Sequence, residues 1–216
     1  MLVGVLLAPM PTSAMVIAMQ VVETASDHAF DVFLDRLMAA ESNGRSNARN
    51  PRSTALGPYQ FIKSTFLDIS RRHLADEVAG LNEAQILALR SDAALARRAA
   101  AAFCREGAKY LKERGLQPTF AHLRLAFLLG PADAARVMQA ARQTPVKGLL
   151  SRAVVKANPF MRRMSIGDLL DKSARDVSPG KTHAPTDDVA PPAENYSQSF
   201  TAKDRKPPSA PQRDGA

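Results

Sequence analysis

Glu41 is the residue most plainly placed to do acid chemistry, because a helical pattern in front of it carries it onto an apolar face. In the stretch SDHAFDVFLDRLMAAE, Phe30, Phe33, Leu34, Leu37 and Met38 recur at three- and four-residue steps, the pattern of one buried helical stripe. At about 100° per residue, Glu41 is rotated only about 20° from Phe30. The carboxyl group therefore projects from the packed side of the helix, in its last turn, where the negative end of the helix dipole opposes ionisation. Both effects raise a carboxyl pKa, which is how a Glu is kept protonated to act as an acid. From Ser42 to Leu67 there is no Asp or Glu, while Arg45, Arg49, Arg52 and Lys63 are present. No second carboxylate lies near in sequence to share the chemistry. The competing reading is a Glu at a frayed helix end, reaching into solvent.

The stretch after Glu41 has the form Glu41-Ser42, then a polar loop with Asn50-Pro51, then Gly57-Pro58-Tyr59-Gln60. This resembles the active-site signature of the lytic transglycosylases, members of the lysozyme-like superfamily that cut peptidoglycan glycan strands. The wording NPRSTALGPYQFIKSTF, ending at Phe66, is similar to the phage-like bacterial branch of that family. A further family element, an Ala-Tyr-Asn-Ala-Gly-Pro turn, has its counterpart in Ala126-Phe127-Leu128-Leu129-Gly130-Pro131, where Phe replaces Tyr and Leu replaces Asn. The lost phenol hydroxyl keeps ring packing and removes one hydrogen bond near the acid. The resemblance covers roughly residues 29–170.

The resemblance implies a transglycosylase that cleaves the MurNAc–GlcNAc bond with Glu41 as single acid and base, leaving 1,6-anhydro ends. Gln60, Tyr59, Asn50, Phe127 and Ser42 would be contacts in the sugar cleft, and no metal or cofactor is implied. Such chemistry needs a proton at the glycosidic oxygen and stabilisation of an oxocarbenium-like state. The muramic C6 hydroxyl then attacks its own C1, with the proximity advantage of a held geometry. No second carboxylate is required, which suits the acid-free loop. Two alternatives stay open. A hydrolytic muramidase would need a second carboxylate, with Asp68 and Asp76 the nearest after the loop. A wall-binding or assembly module would keep the cleft without cutting.

The 216 residues carry a formal charge of +8 and a pI near 10.0, which implies an anionic partner. The basic residues are spread over helices and tail, with no Lys/Arg block interleaved with aromatics, so a wall polymer is favoured over nucleic acid. A secretion or motility apparatus is a further candidate partner. Cys104 is the sole cysteine and reads as a small core residue; the four histidines make no metal pattern. No P-loop, dinucleotide fingerprint or Gly-x-Ser-x-Gly elbow appears.

Residues 1–25 read as an export signal or leader, implying a periplasmic protein. The apolar run Leu2–Ala8 is too short to span a bilayer, and the positive n-region is missing, since no Lys or Arg precedes Arg36. Residues 26–176 are expected to form a mainly α, lysozyme-like single domain. Pro58 is placed to open a helix with Gln60 in its first turn. Asn82 with Gln85, Asp92, Thr119, Pro131 and Ser165 with Asp168 each mark a helix start. Residues 177–216, rich in Pro, Ser, Asp and Lys, read as a disordered tail.

Overall fold

The computed structural model describes residues 13–178 except Arg52, with side chains described from residue 26. The expected leader up to residue 12 and the expected tail beyond residue 178 lie outside the described residues. Helix α1 (Ser13–Ser42) runs without a break across the boundary expected at residue 25. Its face Phe30, Phe33, Leu34 and Leu37 is buried, as the spacing predicts. The helix stops where Asn43 and Gly44 turn left-handed, with φ of 55° and 76°. Arg45 Nε donates to the Ser42 carbonyl at 3.0 Å, supplying a cation to the helix's negative end.

After the loop come α2 (Lys63–His73), the short α3 (Ala75–Val78) and α4 (Glu83–Ala88), and a 3₁₀ turn at Leu89–Ser91. Helix α5 (Ala93–Lys112) follows, capped by the Asp92 side chain on Leu95 N–H. Asn82 and Gln85 form the reciprocal capping box that their spacing suggests. Helix α5 turns Ala96, Ala99, Ala100, Cys104 and Ala108 inward, and these small side chains permit close approach. Gly107 shows how close: a Cβ there would lie 3.5 Å from the Ala126 Cβ. Burial pushes the Cys104 thiol up to about 12, so it is an inert core group.

Helix α6 (Phe120–Leu129) starts at the Thr119 cap and ends at Gly130, whose φ of 83° turns the chain into α7 (Pro131–Gln139) with Pro131 at its first position. The short α8 (Val146–Leu149) and α9 (Arg152–Ala157) and a 3₁₀ turn at Pro159–Arg163 lead to α10 (Ile166–Val177). Ser165 and Asp168 box the start of α10. Among the described residues there are no strands, only isolated antiparallel bridges at Arg49–Leu56, Leu56–Phe61 and Pro145–Ser165. The domain is mainly helical.

Helix α6 is the central element, packed against α5, α7 and α10. One core cluster gathers α1, α2 and α5 around Phe33, Tyr59, Phe66 and Leu123; the other gathers α6, α7 and α10 around Leu125, Val137, Met161 and Leu169. Helix α10 returns to α1, where Arg36 Nη1 donates to the Val177 carbonyl at 3.1 Å. Among the described residues no helix is long and apolar enough to cross a membrane.

Candidate functional site

The loop after Glu41 is fixed by hydrogen bonds rather than by a helix. Pro58 does not open α2, as its position suggests; Gly57 to Gln60 form a turn, and α2 begins only at Lys63 after Ile62. The reason is backbone conformation. Gly57 has φ of 89° and Gln60 of 50°, both left-handed, so the chain reverses and Leu56 N–H bonds the Phe61 carbonyl at 3.2 Å. Gly57 is required there, because a Cβ would sit 1.9 Å from the Arg90 carbonyl oxygen. Arg90, buried beneath the loop, donates through Nη1 to the carbonyls of Thr54 at 2.6 Å and Phe61 at 3.1 Å.

Several expected cleft contacts take part in this scaffold. Gln60 Nε2 donates to the carbonyls of Ala48 at 2.9 Å and Gly57 at 2.8 Å, so its amide braces the loop. Ser42 Oγ, also buried, donates to the Pro58 carbonyl at 2.7 Å and fastens the end of α1 to the turn. Tyr59 is fully buried, and its hydroxyl donates to the Leu34 carbonyl at 3.2 Å. That corrects its expected role: Tyr59 is a core residue, because the reversal at Gly57–Gln60 aims its ring inward. Asn50 holds a turn through its backbone, its N–H bonding the Ala55 carbonyl and its carbonyl accepting from Ser53. Phe127 is half-buried, edge-on to Phe61 at 5.3 Å and Phe103 at 5.6 Å between centroids.

Glu41 itself is sheltered: its side chain is 14% exposed. Its surroundings are not purely apolar, however. Arg124, buried on α6, donates from Nη1 to Glu41 Oε1 at 2.8 Å. The same guanidinium donates from Nε to Asp176 Oδ2 at 3.1 Å, and Lys172 Nζ lies 2.8 Å from both Asp176 oxygens. Two acids and two bases thus form one network built from α1, α6 and α10.

The electrostatic consequence follows from how the cations are shared. Burial is the largest influence and raises the Glu41 pKa above its ordinary value; Arg124 opposes it, Asp176 reinforces it and Lys172 opposes it. The balance stays upward. Arg124 divides its charge between two carboxylates, so its pull on Glu41 does not cancel the cost of burying the anion. Phe127 lies three residues beyond Arg124 on α6, a spacing that puts neighbouring side chains on one flank of a helix, with its ring against Phe61 and Phe103.

The second carboxylate near Glu41 is Asp176, which sequence reasoning missed. Asp68 lies on α2 in an ion pair with Arg72, and Asp76 is exposed on α3. Arg124 was equally invisible: it sits 83 residues from Glu41, in a helix whose other side chains, His122 apart, are apolar. Its one sequence signal is a charge inside the apolar run FAHLRLAFLL. Among the described residues, no group of three or more His, Cys, Asp or Glu is placed to hold a metal ion. Comparison with protein-family models and with curated protein sequences finds no match to this chain.

Proposed function

We propose that the protein is a peptidoglycan lytic transglycosylase with a lysozyme-like domain, acting in the periplasm on glycan strands. The observation that carries this reading is a sheltered carboxyl at the end of α1, with its pKa raised, directly before the Glu-Ser to Gly-x-x-Gln loop. In the first step protonated Glu41 gives its proton to the glycosidic oxygen, and the C1–O bond breaks. In the second, the Glu41 carboxylate takes the proton of the muramic C6 hydroxyl as that oxygen bonds to C1. The Glu41 proton is restored, and no water is consumed.

Arg124 suits this double duty. An acid held only by apolar walls would give up its proton reluctantly and become a strong base; a shared guanidinium at 2.8 Å steadies the carboxylate that exists between the two steps. Phe127, half-buried against Phe61 and Phe103, would offer ring packing to a sugar. Gln60 and Ser42, the expected cleft contacts, also brace the loop. Opening the wall in this way would serve a secretion or motility apparatus.

A second reading, a wall-binding module that does not cut, is favoured by the same Glu41–Arg124 ion pair, since a paired carboxylate is also a structural feature. Digestion of purified sacculi by the full chain separates the readings. We expect muropeptides with 1,6-anhydro ends, and a loss of about 10²-fold or more in Glu41→Gln, the scale of general acid catalysis. Reducing muramic ends without anhydro forms would indicate hydrolysis. Sacculus binding without products, in wild type and variant alike, would indicate the binding module.

A further inference from the structure

Between Asp133 and Asp168 the chain has no acidic residue. Residues 145–165 make an excursion closed at its base: Val146 N–H bonds the Met164 carbonyl at 3.0 Å, and Ile166 N–H the Thr144 carbonyl at 2.8 Å. Buried Val146, Leu150 and Met161 anchor it to the core, so its outer surface is rigidly presented. That surface carries Lys147, Arg152, Lys156, Arg162 and Arg163, all exposed. Neighbouring cations Arg136 and Arg142 are paired with Asp133 and Asp171. None of the five has an acidic partner among the described residues.

Two shallow hollows indent this surface and share Lys147 and Arg162. Their volumes are about 320 and 340 Å³, at the small end of ligand-holding clefts and roomier than a bare phosphate needs. Beside them Phe160 is 45% exposed, one of the few large apolar side chains left in water, with the Lys172 ammonium 5.5 Å from its ring centre. A cluster of unpaired cations around two open hollows, with one protruding aromatic, fits a charged interface with an apolar layer just below it.

We infer that the 145–165 excursion is a docking surface for an anionic lipid bilayer, its hollows receiving phosphate headgroups and Phe160 entering the interfacial layer. Single-stranded nucleic acid fits less well, since it requires successive aromatic platforms along a basic groove, and only Phe160 stands exposed here. The two hollows are set apart from Glu41, since Asp168, bordering one of them, and Asp176, in the acid's network, are two turns apart on α10, about 12 Å, whereas Phe160 touches that network through Lys172.

The test is co-sedimentation of the full chain with vesicles of phosphatidylcholine alone or with about one third phosphatidylglycerol. We expect binding to the anionic vesicles only, weakening as the Debye length contracts from about 10 Å at 0.1 M salt to about 3 Å at 1 M. Lys147→Glu with Arg162→Glu should weaken binding at least about tenfold. Lys109→Glu with Lys112→Glu, an equal charge change on exposed positions of α5, should leave most of it. Phe160→Ala should weaken it as well, with thermal melting confirming that each variant is folded. Equal loss in both double variants would reduce the effect to net charge and overturn the assignment. So would undiminished binding in Lys147→Glu/Arg162→Glu, equal binding to neutral vesicles, or tighter binding of an oligonucleotide through the same residues with no vesicle binding.

Discussion

Arg124 is bonded to Glu41 and Asp176 at once, so the guanidinium that opposes the effect of burial on Glu41 is shared. Asp176 raises the Glu41 pKa in two ways: its own negative charge repels a second anion, and it draws on the cation that Glu41 would otherwise have alone. Asp176→Asn keeps an acceptor for Arg124 and removes the charge. The Glu41 pKa should then fall. Because the proposed first step needs protonated Glu41, activity declines as pH rises through that pKa, and the alkaline limb of the rate profile should move to lower pH in the variant. A pH–rate profile of both proteins on sacculi checks this; an unmoved limb would separate Asp176 from the titration of the acid. Glu41 was legible because its signal is local, one helical face read at intervals of three and four. Its partners lay 83 residues away in Arg124 and, beyond that, in Asp176, and no local pattern connects them. Tyr59 failed for a related reason: its motif position suggested the cleft, but only the turn around it decides which way a ring points.

At the level of elements, the loop between α1 and α2 holds its shape through backbone contacts that side-chain patterns do not encode. Gly57 is its tightest point. Gly57→Ala would meet both a left-handed φ of 89° and the Arg90 carbonyl 1.9 Å from the new Cβ. Strain of this kind costs on the order of 1–3 kcal/mol before the clash is counted, so urea unfolding should register a loss of about 3 kcal/mol or more. A variant as stable as wild type would mean that the turn can rearrange freely. Helix boundaries were readable wherever a cap is local, as at Asn82, Asp92, Thr119 and Ser165. The start of α2 was misplaced because Pro58 satisfies a turn as readily as a first helical turn. The left-handed Gln60 that excludes the helix sits in a turn braced by its own amide on the Ala48 carbonyl and by Arg90, from 29 residues further on, at the Phe61 carbonyl.

Across the whole molecule, α6 joins two core clusters: Leu123 belongs to the one beneath α1, α2 and α5, and Leu125 to the one formed with α7 and α10. Leu125→Ala should therefore cost about 2–5 kcal/mol through lost burial and an unfilled cavity. Since α6 also carries Arg124, the loss should appear as one cooperative transition rather than the melting of one half. Differential calorimetry reads this directly, and two resolved transitions would show the clusters to be separable. The helical class was legible from periodicity and from the absence of alternating runs. On the 145–165 excursion the run of cations without acids is visible in the sequence, but their placement around common hollows is not, because it depends on how α8, α9 and the turn at Pro159–Arg163 fold back on one another.

The union of α1 with α10, made by Arg36 on the Val177 carbonyl and by the Glu41–Arg124–Asp176 chain, also bears on synthesis. Residue 41 leaves the ribosome long before residue 176. Throughout that interval the nascent chain carries its carboxyl without the groups that tune it, and the quartet comes together only when translation has delivered the final described helix. The surroundings of Glu41 are therefore finished only once α10 has been made, and a chain stopped before that helix would hold its carboxyl without Asp176 and Lys172.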